Sequence, residues 1–121
     1  MTVSEALARV DTLCPNARST AEKLAWLSGL DGQVNEFLKD YEGYTDTAAL
    51  PYREGDMGRE LLIPFPYEDV YVHYLHAQIS YAMGEFSRYE NALVQFNTLM
   101  QSYRIAYHKA HMPRQVRKRV L

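Results

Sequence analysis

Between Pro64 and Pro113 the chain carries an apolar and aromatic rhythm that dictates helix. Val72, Leu75, Ile79, Ala82, Phe86, Tyr89, Leu93, Phe96, Met100, Tyr103 and Tyr107 follow one another at alternating spacings of three and four. That spacing places all of them on one stripe of an α-helix. Pro64 and Pro66 force extended backbone first, and Glu68 and Asp69 then suit the positive end of a helix dipole. Gly84 interrupts the run, yet the phase continues from Ala82 to Phe86. A turn into a hairpin supplies no reason for the phase to survive. The expectation is therefore one helix of roughly 40 residues over 66–107, about 60 Å at 1.5 Å per residue, kinked at Gly84. A hairpin hinged at Met83-Gly84-Glu85 is the alternative.

Two shorter helices are expected to pack on this spine. Thr2 and Glu5 have the spacing of a capping box, and Val3, Ala6, Leu7, Val10 and Leu13 recur at helical intervals, which gives a helix over 2–13 that Pro15 stops. Ser19 and Glu22 form a second such box ahead of Leu24, Leu27, Leu30, Val34, Phe37, Leu38 and Tyr41, which gives a helix over 20–41 with Gly43 as its C′ residue. Trp26 lies off that stripe and either packs on the first helix or faces a partner. Residues 44–63, with Pro51, Gly55, Gly58 and several acids, read as a loop of about 20 residues, long by the usual standard. Within it Leu61-Leu62-Ile63 is either a short strand or an anchoring plug. The chain thus divides into an all-α domain over 1–113, irregular across 44–66, and a basic tail over 114–121.

A length of 121 residues suits one domain, and an apolar content of 47% is that of a globular chain, far from a disordered composition. No apolar run is long enough to cross a membrane, and the first residues lack the pattern of a signal peptide, so an intracellular, non-membrane protein is expected. The lone Cys14 cannot form an internal disulfide or a thiolate metal site. Charge is distributed unevenly. Residues 1–100 hold seven Lys and Arg against fifteen Asp and Glu, a net −8, whereas residues 101–121 hold six Lys and Arg and no acid, a net +6. A basic tail on an acidic body seeks an acidic partner.

Catalytic patterns are sparse. His73 and His76, and again His108 and His111, have a helical metal-ligand spacing, but no third ligand in an HExxH-type pattern accompanies them. They are read as surface or interface histidines, with no metal or cofactor expected. Asp31-Gly32 lacks the glycine-rich surroundings of a nucleotide loop. No Gly-x-Ser-x-Gly elbow occurs, so an enzyme is not expected. Tyrosine is abundant, ten against four phenylalanines and one tryptophan. Tyr67, Tyr71, Tyr74 and Tyr81 form a second face beside the apolar stripe. Either they rim the core or, with Trp26, they make a subunit interface, where tyrosine is enriched. Arg114, Arg117, Lys118 and Arg119 could contact nucleic acid electrostatically, although the acidic body opposes this.

Several segments together resemble small proteins encoded among the head-morphogenesis genes of tailed phages and prophages. They are Pro66-Tyr67, Ala77-Gln78-Ile79, Tyr81-Ala82, Gly84-Glu85, Arg88-Tyr89, Asn91, Phe96-Asn97 and Tyr107 with His111-Met112-Pro113. Pro15-Asn16-Ala17, Lys23-Leu24, Trp26-Leu27-Ser28 and Leu30-Asp31-Gly32 extend the likeness over nearly the whole chain. The layout is similar to that of head–tail connector adaptors, which are helical subunits ringed beneath the portal. The resemblance implies a structural virion protein, assembled in the host cytoplasm, whose partners are further copies of itself, the portal protein and a tail-side neck protein. It implies that His111, Met112, Pro113, Arg114, Arg117, Lys118 and Arg119 belong to a portal-docking arm. It also implies that DNA passes an acidic channel without specific binding, since like charge lets it slide. The alternative is a small nucleic-acid-binding or DNA-packaging accessory protein acting through the basic tail.

Overall fold

The computed structural model describes residues 1–114, and the tail positions Arg117, Lys118 and Arg119 lie outside the described residues. The architecture is all-helical: α1 (Val3–Leu13), α2 (Thr20–Leu38), a single 3₁₀ turn (Glu54–Asp56), α3 (Val70–Ala82) and α4 (Phe86–Ala110). Two isolated bridges, Thr2 with Glu60 and Tyr41 with Pro113, are the extended pairings among the described residues.

The N-terminal signals act locally. Thr2 accepts from the Glu5 backbone N–H at 3.2 Å, and Glu5 returns a bond to the Thr2 N–H at 2.8 Å. The box is complete, and Cys14 ends α1 ahead of Pro15. At α2 only half of the expected box forms. Ser19 accepts from the Glu22 N–H at 3.1 Å, but the Glu22 carboxylate is taken by Arg18 at 2.8 Å. α2 also stops at Leu38, three residues short of Tyr41, because Tyr41 is drawn into the bridge with Pro113. Gly43, at φ +85°, therefore serves the following turn and not the helix cap.

The expected single spine is corrected: the segment is a helical hairpin. Gly84 adopts φ +74°, its N–H bonds to Tyr81 O at 3.1 Å, and the Glu85 N–H bonds to Ser80 O at 2.9 Å. This pair of bonds is a Schellman termination, which satisfies the last carbonyls of α3 and reverses the chain. The unbroken phase misleads because both arms of a hairpin need an apolar stripe, and a three-residue link leaves the two stripes in register by count. Burial tells them apart. Val72, Leu75 and Ile79 are buried in α3, and Met100 and Tyr103 in α4, but Phe86 between them is 58% exposed.

α3 packs on α1, α2 and most extensively on α4. At 1.5 Å per residue, the 13 residues of α3 span about 20 Å and the 25 of α4 about 37 Å. The C-terminal half of α4 therefore outruns α3 and lies along the end of α2, where Phe37 meets Tyr107 at 5.7 Å and Tyr41 meets Tyr107 at 5.0 Å. Leu61 and Ile63 are buried, which makes the short apolar run a plug into the core.

Gly84→Ala should lower stability by about 1–2 kcal/mol through left-handed backbone strain alone, since a Cβ there meets nothing within 4 Å. Gly29→Ala, inside α2 with equally open space, should raise stability by about 1 kcal/mol. Urea unfolding of the two variants checks both signs.

Candidate functional site

Two features go beyond ordinary core packing. The first is a buried polar junction around Asp31, which has no exposed surface. α2 presents Asp31 on the same face as Leu27, Val34 and Leu38. Its Oδ2 accepts from Tyr52 Oη at 2.5 Å and from the Leu62 N–H at 3.2 Å. Its Oδ1 accepts from Tyr71 Oη at 2.5 Å, and that hydroxyl in turn accepts from the Ile63 N–H at 2.7 Å. One carboxylate therefore ties α2, the long loop and α3 together. Burial pushes the Asp31 carboxyl above its ordinary range, and the bonds from Tyr52, Tyr71 and Leu62 pull it partly back. Burial, together with the negative Asp31, drives the Tyr71 hydroxyl well above its usual value, and the same two causes raise Tyr52. Ser28 extends the junction by accepting from the Tyr52 N–H at 2.8 Å. Asn35, one turn beyond Asp31, bonds to the Tyr44 hydroxyl and to Asp46.

The second feature is the tip of the α3–α4 hairpin. Tyr81 is 59% exposed, Met83 45% and Phe86 58%. The Tyr81, Phe86 and Tyr89 rings form one cluster, with Tyr81 5.7 Å from Phe86 and 5.1 Å from Tyr89, both edge-on. Midway along α4, α2 and α4 flank a groove of about 370 Å³. Leu30, Val34, Phe96 and Met100 form its floor, and Arg104 and Gln101 stand on its rim.

The tyrosines expected on one outer face separate. Tyr71 is corrected: it is fully buried and its hydroxyl is committed to Asp31 and Ile63, so it presents no surface. Tyr67 is half-buried against Tyr103 at 5.8 Å, and Tyr74 against Phe96 at 5.1 Å. Trp26 is half-buried on the core. Tyr81 alone of the set is largely exposed.

The residues expected to begin a docking arm, His111–Arg114, fold back onto the body. The Glu42 N–H bonds to Met112 O at 2.9 Å, the Arg114 N–H to Asp40 O at 2.8 Å, and Pro113 bridges Tyr41. The Arg114 guanidinium donates to Lys39 O at 2.7 Å and Tyr44 O at 3.2 Å, which places a cation on the carbonyls that follow α2. His111 stacks on Tyr107 at 3.7 Å, and His108 Nδ1 lies 3.0 Å from Tyr41 Oη. His73 and His76 are half-buried between α3 and α4, where burial, Arg88 and His73 lower His76. Among the described residues no three His, Cys, Asp or Glu side chains gather at one point, and no helix is long and apolar enough to cross a membrane.

Sequence reasoning placed Phe86 on a buried stripe and gave Asp31 no role. A signal for Asp31 was present: an acid in helical phase with Leu27, Val34 and Leu38 lies on an apolar face and needs donors. Comparison with protein-family models, with curated proteins and with solved structures gave no match.

Tyr71→Phe should cost about 3 kcal/mol, because it leaves both a buried N–H and a carboxylate oxygen unpaired. Tyr52→Phe, after which Oδ2 still accepts from the Leu62 N–H, should cost only about 1 kcal/mol. The pH dependence follows from Asp31. The folded state holds this proton more tightly than the unfolded chain, so the contribution of Asp31 to stability falls as pH rises from the ordinary 3.8 through the raised value. The stability difference between wild type and Asp31→Asn should therefore narrow over that window in denaturation series. A difference that widens contradicts the assignment.

Proposed function

We propose that this chain is a structural assembly subunit of the head–tail connector kind, a virion component of a tailed phage that oligomerises and bridges the portal to the next tail-side protein. The observation that carries the reading is the hairpin tip. Three large side chains, Tyr81, Met83 and Phe86, are exposed at a hydrogen-bonded turn, and such side chains are characteristic anchors at protein interfaces. A second feature agrees with it. The segment 112–114 is fastened to the end of α2, so whatever follows Arg114 leaves the body from a fixed point. A docking arm requires such a point. The reading is a non-catalytic one: Asp31, the buried acid among the described residues, has both oxygens engaged in holding helices and loop together. Arg114 is held by backbone carbonyls, which removes one cation from any phosphate-binding set and weighs against the nucleic-acid alternative.

Truncation after Arg114 preserves the bonds that fix the exit point, so it tests the arm without disturbing the body. The truncated chain should keep its thermal stability and its self-association while its binding to purified portal protein weakens at least about tenfold. Portal binding unchanged by the truncation refutes the arm. An intact chain that binds neither itself nor portal protein refutes the connector reading. Tight DNA binding at physiological salt moves the assignment to the packaging accessory class.

A further inference from the structure

We infer that the aromatic hairpin tip of one copy inserts into the α2–α4 groove of a second copy, in a head-to-tail contact that repeats from subunit to subunit. The inference rests on the assembly-subunit reading and names the surfaces it would use.

Knob and groove have matching anatomy. The tip offers Tyr81, Met83 and Phe86, all exposed. The groove, about 370 Å³, has a narrow floor in which Leu30, Val34 and Met100 are buried and Phe96 is half-buried, inside a polar rim of Gln33, Asn97, Gln101 and Arg104. An apolar centre within a polar rim is the arrangement of a protein–protein contact. The size suits one or two inserted side chains.

Charge selects the pairing. Glu90 stands one helical turn beyond Phe86 and has no ion-pair partner among the described residues. Arg104 stands one turn beyond Met100 on the groove rim, and its guanidinium, 5.9 Å from the Phe37 ring, has no carboxylate partner among the described residues either. Seating Phe86 in the groove brings an unpaired acid to an unpaired cation. A symmetric tip-to-tip contact instead sets Glu85 and Glu90 against the same acids of the second copy, with Arg88, already 3.8 Å from its own Glu85, as the cation between them, and it leaves the groove unused, so it is disfavoured.

A second copy is required. Phe86 and Met100 lie on one continuous helix, 14 residues or about 21 Å apart. The tip cannot reach the groove of its own chain. Because knob and groove are different surfaces, the contact is heterologous, and each copy is left with one of each to offer. Repetition then gives a ring where the rotation closes and a filament where it does not.

Sedimentation velocity on two exposed-site variants tests the contact, with circular dichroism to establish that each variant is folded. Phe86→Asp removes the knob and Arg104→Glu reverses the charge at the groove. Each alone should associate at least about tenfold more weakly than wild type. An equimolar mixture should form one-to-one dimers and nothing larger, because one intact tip meets one intact groove. Loss of association in Phe86→Asp but not in Arg104→Glu identifies a tip-to-tip contact and overturns the proposal. Assembly that survives both substitutions also overturns it while leaving the assembly reading in place. A wild-type chain that stays monomeric at its highest soluble concentration, yet binds portal protein, likewise overturns the self-contact and spares the connector reading.

Discussion

Asp31 receives hydrogen bonds from two tyrosine hydroxyls and a backbone N–H, with no surface open to water. An isolated carboxylate in that position would be strongly unfavourable, so its partners must be in place whenever α2 is packed. The loop between α2 and α3 is held by this requirement more than by secondary structure of its own. Tyr52 and Leu62 are fixed to Asp31 directly, and Ile63 through Tyr71. Leu61 and Ile63 then plug the core beside α1, where Leu61 N–H also bonds to Met1 O at 3.0 Å. Polar specificity and apolar burial act on the same few residues. The junction selects one loop conformation, and burial of the plug stabilises it.

The molecule is unevenly packed along its hairpin. α3 is buried through Val70, Tyr71, Val72, Leu75 and Ile79, whereas α4 buries only Ala92, Met100 and Tyr103 along 25 residues. The difference follows from length and position. α3 lies under α1 and α2, while α4 covers α3 on one side and has water on the other. Where α4 outruns α3, aromatic contacts with Phe37 and Tyr41 take over. Its opposite end, together with the last turn of α3, has no such cover, and the chain is left with an exposed aromatic tip and a groove about midway along α4.

Much of the local structure was legible in the residues. The Thr2–Glu5 box, the stop at Pro15, the apolar face of α2 and the loop across 44–63 all follow from short-range chemistry, which acts in the same way in any fold. Other features were not. Whether Glu22 closes its box depended on Arg18, four residues away, competing for the same carboxylate. The end of α2 depended on Pro113, more than 70 residues downstream in sequence. Of the expected interface tyrosines, Tyr71 pointed inward because Asp31 required a donor at that position.

The sequence by itself determined that this chain is all-α, with helices at these positions and an apolar stripe on each, because helix periodicity and capping are properties of neighbouring residues. It left open whether the long stripe was one rod or two arms. Tertiary structure decided that, for a glycine permits a left-handed turn without requiring it, and only the burial gained when α4 packs back on α3 makes the turn the favoured state. The same packing decided which aromatics became core and which were left exposed at the tip.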